Sequence, residues 1–373
     1  MARAPLSADM EVLPEADRLD GFPHPRLTAR LYGHDAADTL LAAALASGKM
    51  HHAWLITGTE GIGKATLAYR LARAALARPE DRDLFGDTLD VHAETPAARQ
   101  VAALSHPGLC VIRRAYDQKA KRFSASISVD EVRRVRSFLS LSAEENGWRV
   151  VIVDSADDMN LNAANALLKS LEEPPRRTVF LILSAAPGRL LATIRSRCRV
   201  LALSALGPGD LTKAASAALA SEGKLLPSEA DTAKLMTLAG GSVRRFLALQ
   251  EGGGLALQER IDKILSSLPA LDQRAAHTLS DDLQSAAQEQ KFALFFDLLM
   301  ATVARLIRAE ATGDGDPAAV ALAARLIGPA RLATFAELWE TLARDKAEAL
   351  ALNLDRKSLI LATLARLADA SRS

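Results

Sequence analysis

The sequence predicts an α/β protein, a parallel sheet with covered faces, followed by a small helical lid domain and an all-helical C-terminal domain. Three observations predict it. Short apolar runs alternate with helical segments as far as Leu203; the run Gly58-Thr59-Glu60-Gly61-Ile62-Gly63-Lys64-Ala65-Thr66 has the spacing of a phosphate-binding loop; and beyond Leu203 the strand-like runs stop, giving way to Ala/Leu-rich segments with charges at helical spacing.

Residues 1–27 carry Pro5, Pro14, Pro23 and Pro25 among charges, the pattern of an extended or poorly ordered lead-in with little function expected. Residues 28–204 form the α/β domain. Its strands are expected at 53–57, 109–113, 150–153, 179–183 and 200–203, runs apolar enough to be covered on both faces as parallel strands are. Residues 66–72 read as an amphipathic helix after the loop, and 78–105, with Pro79, Pro96 and no strong period, as a loop-rich insertion or a weak helix pair. The helix over 161–172 places Leu161, Ala164, Leu168 and Leu171 on one core face and is stopped by Pro174 and Pro175. Glycine breaks at Gly207, Gly209, Gly240 and Gly241 bracket the small helical domain, 205–250, and residues 251–373 form the third, helical domain.

With 373 residues, 49% of them hydrophobic, the chain can bury a sizeable core and fill two or three domains. Its apolar stretches are broken before the roughly 18 residues a membrane span needs, and the acidic, proline-broken N-terminus lacks a secretion pattern, so no membrane association and a cytoplasmic location are expected. Lys plus Arg is 46 against Asp plus Glu 45, so no overall field argues for nucleic acid. Cys110 and Cys198 cannot make a four-ligand zinc site and read as small buried hydrophobes.

In a working phosphate loop the backbone N–H groups and the lysine cradle the phosphates while a hydroxyl after the lysine holds Mg²⁺; here the lysine is Lys64 and the hydroxyl position is Ala65. The strand at 150–153 ends in Asp154, where a carboxylate orients Mg²⁺ through water. The following residue, a water-polarising glutamate in hydrolytic proteins, is Ser155. Asp157 and Asp158 stand on a different part of the turn. Ala65 and Ser155 each remove a separate contribution to γ-phosphate cleavage. Lys64 and Asp154 still offer a nucleotide a point charge and a metal partner, unless the loop persists only because its turn needs glycine.

Ser184, at the end of the strand over 179–183, is a candidate polar sensor beside a γ-phosphate or a plain turn cap. Arg195, Arg197 and Arg199 recur at period two and would share one face of an extended segment, as a solvated basic edge or as an arginine finger reaching a neighbour's γ-phosphate. The basic cluster Arg113, Arg114, Lys119, Lys121, Arg122, Arg133, Arg134 and Arg136 could track a phosphate backbone, but the interspersed acids and scarcity of aromatics favour a solvated face.

The stretch Asn165-Ala166-Leu167-Leu168-Lys169-Ser170-Leu171-Glu172-Glu173-Pro174-Pro175, followed by Leu190-Leu191-Ala192-Thr193-Ile194-Arg195-Ser196-Arg197-Cys198, resembles the δ′ subunits of bacterial DNA polymerase III clamp loaders, members of the AAA+ superfamily of P-loop proteins. The resemblance runs from about Leu31 to Leu249. It implies an adenine-pocket loop at Tyr32-Gly33-His34-Asp35, phosphate contacts by Gly58, Gly61, Gly63, Lys64 and Thr66, a metal carboxylate at Asp154, a finger given in trans by Arg197 and a second sensor arginine at Arg244. It implies ATP and Mg²⁺ as cofactors. Many relatives carry a four-cysteine module after the loop helix, but residues 78–107 contain no cysteine, so no zinc is expected. The implied partners are δ and three γ/τ motor subunits in a five-membered ring held by the C-terminal domains, the β sliding clamp, and primed DNA reached through the ring, all within the polymerase holoenzyme during replication. The motor subunits carry Thr after the loop lysine and Glu after the strand aspartate; Ala65 and Ser155 favour δ′ over γ/τ and little or no hydrolysis by the chain itself. The rival is a self-sufficient AAA+ ATPase using Asp157 and Thr66 as displaced substitutes.

Overall fold

A computed structural model describes residues 14–28, 30–82, 88–140, 147–285, 288–352 and 354–372. Two compact units divide them: residues up to Leu226 with Gly240–Arg245, and Pro227–Ala239 with Phe246 onward. These units cut across the 205–250 segment that the glycine breaks bracket.

The first unit is built on a parallel sheet of five strands, β1 (Ala53–Thr57), β2 (Leu109–Ile112), β5 (Arg149–Val153), β6 (Thr178–Ser184) and β7 (Arg199–Ala202), in the order β2-β5-β6-β1-β7. All five lie within a residue or two of the apolar runs expected to form them. Side chains alternate across the pleat. Trp54 and Ile56 of β1, Val150 and Ile152 of β5 and Leu181 of β6 join a core with Leu41 of α1 (Asp35–Ala46) and Leu67 and Leu71 of α2 (Lys64–Leu76). Leu55, Val151, Val153, Phe180 and Ile182 face the other way, onto Val132 and Val135 of α4 (Val129–Ser140), Leu167 and Leu171 of α5 (Leu161–Glu172) and Ile194 of α6 (Ala192–Arg195). Each fully buried large apolar side chain is worth about 1.5–3 kcal/mol relative to exposure, so covering both faces stabilises the sheet. The register sets Thr57 beside Ser184 and Val153 beside Ile182, so Gly58, Asp154 and Ser184 emerge along one edge, the carboxyl ends of the strands.

Three expectations are corrected. In α5 the Asn160 side chain caps the N–H of Ala163 at 2.9 Å, and this start sets a buried stripe of Ala163, Ala164, Leu167 and Leu171; Leu161, expected in the core, is 64% exposed. Arg195, Arg197 and Arg199 do not share an extended segment. Arg195 closes α6, the N–H of Arg197 bonds Ile194 O at 3.1 Å and that of Cys198 bonds Arg195 O at 3.3 Å, so the chain turns helically before β7 opens at Arg199. The basic cluster departs from the expected solvated face at Arg113. Arg113 is turned inward, Arg114 pairs with Asp158 at 3.1 Å, and Arg133 and Arg134 pair with Asp130 and Glu131 one turn away on α4.

The antiparallel pair β3 (Tyr116–Asp117) and β4 (Arg122–Phe123) follows β2 and carries Lys119 and Lys121 at its exposed tip. Between α2 and β2 lie a 3-10 turn (Pro79–Asp81), a bridge of Arg82 to Val91 and α3 (Pro96–Ala102); residues 83–87 of that insertion lie outside the described residues. Cys110 is buried and Cys198 half-buried, and burial pushes both thiols up to about 11. The unit also contains α7 (Pro208–Ala220) and the segment Gly240–Arg245.

The second unit is helical: α8 (Glu229–Ala239), most of α9 (Val243–Glu251), α10 (Gly254–Ser267), α11 (Gln273–Leu283), α12 (Glu289–Thr312), α13 (Pro317–Leu326), α14 (Gly328–Leu352) and α15 (Arg356–Ala370). Phe292, Phe295 and Phe296 of α12 are fully buried, with ring centroids 5.1 Å apart in each neighbouring pair, and Trp339 of α14 donates its indole N–H to Met300 O at 3.0 Å. Among the described residues no single helix is long and apolar enough to cross a membrane.

Candidate functional site

The loop between β1 and α2 has the backbone its glycines permit. Gly58, Gly61 and Gly63 sit at φ 140°, 77° and 114°, and a Cβ on Gly61 would meet Arg244 Cβ at 2.4 Å and Ser242 Oγ at 2.5 Å. The turn Gly240–Arg245 therefore packs directly on the loop. Ser242 Oγ donates to Glu60 O at 2.8 Å, and the N–H of Val243 donates to Gly61 O at 3.0 Å. His34, in the segment expected to line an adenine pocket, is buried with Nε2 2.8 Å from Ile62 O; Tyr32 lies under the Arg30 guanidinium, 5.3 Å from its ring centroid. Gly33 shares that segment, and its φ of 71° again needs glycine.

Lys64 opens α2 and Thr66 stands half-buried in its first turn. The lysine is folded back onto its own loop, donating to Gly58 O at 2.6 Å and Thr59 O at 2.7 Å. Burial lowers its pKa against the opposing pull of Glu60, Asp154 and Asp157. Ala65 supplies no oxygen. Ser155 holds φ 56°, ψ 58°, the left-handed region, an uncommon conformation for serine. Asp157 is fully engaged: Ser184 Oγ donates to Oδ1 at 2.6 Å, and the N–H groups of Ala185 and Ala186 donate to Oδ2 at 2.6 and 3.3 Å. Ser184 is thus fixed at the strand end by a carboxylate that sequence alone left unplaced.

Asp154 is buried, and its Oδ2 has no hydrogen-bond partner among the described residues. Burial, then the adjacent Asp17 carboxyl, raise its pKa well above the carboxylate range. Asp17 comes from the lead-in expected to do little. Residues 14–28 instead carry a 3-10 turn (Pro25–Leu27) and a buried charge cluster: Arg26 Nη1 is 2.7 Å from both Glu15 oxygens, Arg113 donates to Glu15 and, at 2.9 Å, to Asp17, and His24 Nε2 is 2.7 Å from Asp17 Oδ2. Burial pushes both acids up, but Arg26 and Arg113 on Glu15, and His24 and Arg113 on Asp17, hold them below their usual range. The Tyr69 hydroxyl of α2, buried with no hydrogen-bond partner among the described residues, is pushed up by burial and by the charges of Asp17 and Asp154.

Arg244 faces this cluster. Its guanidinium donates to the main-chain oxygens of Asp17 at 3.1 Å and Arg18 at 3.3 Å, and Nε lies 3.2 Å from Glu60 Oε1. Arg197 is apart from all of these, a third exposed, donating to Thr193 O at 2.9 Å and to Glu172 Oε1 at 2.6 Å. The structure thus brings Gly58, Gly61, Gly63, Lys64, Asp154, Ser184 and Arg244 to one edge of the sheet and leaves Arg197 at a separate corner. Sequence reasoning missed Glu15, Asp17, His24 and Tyr69, and took Glu172 only as part of a motif.

These residues suit the phosphates of a nucleotide better than its metal. Gly58, Gly61, Gly63 and Lys64 supply a turn and a cation for anionic oxygens, whereas Ala65 lacks an oxygen and Asp154 is shut against a second acid. Among the described residues no group of three or more His, Cys, Asp or Glu could hold a metal ion.

A family profile described as DNA polymerase III, delta subunit, matches residues 33–207. The DNA polymerase III subunit delta' of Pseudomonas aeruginosa is 36% identical over 251 residues, covering 66% of this chain and 70% of that one. The chain belongs to the δ′ family of DNA polymerase III subunits. The delta' subunit of Escherichia coli is 37% identical over 161 residues, 43% of this chain and 44% of that one. The DNA polymerase III subunit gamma of Buchnera aphidicola (subsp. Acyrthosiphon pisum) is 27% identical over 250 residues, 66% of this chain and 65% of that one. The profile match takes in the loop, Asp154, Ser184 and Arg197; residues 15–26 and Arg244 fall outside it.

Proposed function

We propose that this δ′ family member is a clamp-loader subunit that turns over little or no ATP itself and completes the site of a neighbour. In this reading it sits in a five-membered ring with δ and three γ/τ subunits, within the cytoplasmic replication machinery, and helps the ring place the β sliding clamp on primed DNA. Arg197 is offered to ATP held with Mg²⁺ by an adjacent γ/τ subunit, where a planar guanidinium stabilises charge on the transferring phosphoryl group. Trans arginines of this kind are worth on the order of 10³ to 10⁵ in rate.

The observation that carries the reading is a contrast within one fold. The hydroxyl and carboxylate that hydrolysis needs are replaced by Ala65 and Ser155, while Arg197 is presented at the surface in the turn just past a short helix, steadied by Glu172. The competing reading, a self-sufficient ATPase, needs Asp157 as a general base, and that carboxylate already accepts three hydrogen bonds at the end of β6.

Reconstitution with δ and γ/τ tests the proposal. Arg197→Ala should leave the chain folded and assembled yet lower the DNA-stimulated ATPase of the ring; a ring with unchanged ATPase rejects the finger.

A further inference from the structure

Residues 15–18 fall outside the family match, and what they touch is what a nucleotide would touch. Arg244 spends two of its N–H groups on the carbonyl oxygens of Asp17 and Arg18, at 3.1 and 3.3 Å. Two oxygens side by side are what a phosphate offers a guanidinium fork to donate to, and N–H groups so engaged cannot reach another acceptor. The Asp17 carboxyl lies against Asp154, the residue at the end of β5 from which a metal would be oriented. The segment is anchored from both sides, by Arg26 on Glu15 and by Arg113, just past β2, on Glu15 and Asp17, with the acid side chains at most 8% exposed. Lys64 meanwhile satisfies itself on Gly58 O and Thr59 O.

We propose that residues 15–18 are a built-in occupant of the nucleotide site, which hold Arg244 and Asp154 in their nucleotide-free arrangement and which ATP must displace in order to bind. The inference rests on the reading of this edge as a nucleotide site; it adds the device that closes it. A subunit closed in this way keeps the loop and the Gly240–Arg245 turn in place without a ligand, since Arg244 has its acceptors from the chain itself.

The test uses the full chain, the double variant Glu15→Gln/Asp17→Asn, and a form beginning at residue 21, with a fluorescent ATP analogue and magnesium as the probe. Released from its anchors, the segment should leave the site, and both altered forms should bind the probe at least tenfold more tightly than the parent. In the parent, saturating probe should speed amide hydrogen exchange across residues 14–28. Equal or weaker binding by the altered forms, no binding by any form, or unchanged exchange in the probe-saturated parent overturns the inference. Should the altered forms fail to fold, exchange in the parent decides alone. Assembly with δ and γ/τ is followed in parallel: a parent that assembles normally but whose residues 14–28 do not respond to bound probe refutes the occupant and leaves the clamp-loader reading intact.

Discussion

At the end of β5 the acids Glu15, Asp17 and Asp154 lie in the interior among Arg26, Arg113 and Arg244, whereas at the corner before β7 Arg197 shares a single half-exposed carboxylate, Glu172, with the solvent. Both places carry residues that the family resemblance connects with ATP. One is closed by the chain on itself; the other is open to whatever lies outside. The difference shows how one fold separates two uses of charge. Groups enclosed among partners hold a conformation, because removing any of them strands a buried charge; a group on a short exposed lever contributes little to stability and is free to act on a second molecule.

The largest expected break in that contrast comes from Arg113→Ala. It leaves Glu15 and Asp17 buried with one cation fewer, and unfolding in urea should show the first unit destabilised by about 3–5 kcal/mol. Arg197→Ala, measured the same way, should cost less than about 1 kcal/mol, the usual worth of an exposed pair. Comparable losses at the two sites would erase the distinction.

Asp154→Asn is expected to have a smaller effect of opposite sign. With its folded pKa raised, Asp154 keeps a proton that the unfolded chain releases above the ordinary carboxylate range. Stability from this group is therefore lost as pH rises from the unfolded value towards the folded one. The neutral amide removes that loss, so the variant should be more stable than the parent by about 1–3 kcal/mol at pH 8 and nearly equal to it at pH 4. A variant less stable at pH 8 would contradict the enclosed, protonated acid.

The paired change Ala65→Thr/Ser155→Glu sharpens the comparison further. If missing groups were the whole defect, the isolated chain would gain turnover. With Arg244 and Asp154 still held by residues 15–18, no gain is expected. Smallest of all should be the effect of Glu172→Gln on folding, within about 0.5 kcal/mol for a surface position, while circular dichroism confirms that α5 is retained.

Much of this was legible in the sequence, for physical reasons that also mark where legibility stops. The strands of the main sheet are local objects: Ala53 to Thr57 and Val179 to Leu183 are apolar because both of their faces are covered, and the loop announces itself through glycines that take positive φ. Phase was harder. Leu161 looked like core, but the helix begins there and the cap at Asn160 turns its side chain outward. The strands of two residues each at Tyr116 and Arg122 are too short to show a period. The cluster around Asp17 was illegible for a different reason. Its partners lie 96 residues away at Arg113 and 227 away at Arg244, and prolines mixed with charges read the same in a loose tail as in an enclosed ion-pair network.

The most direct test of the central claim, that this chain acts on a neighbour's nucleotide and not its own, is steady-state ATP turnover by the purified chain alone and after mixing with δ and γ/τ, with Arg197→Ala run beside it. The account predicts no turnover alone and a DNA-stimulated rate in the mixture that falls in the variant. Robust turnover by the chain alone would contradict it and make this protein a motor in its own right.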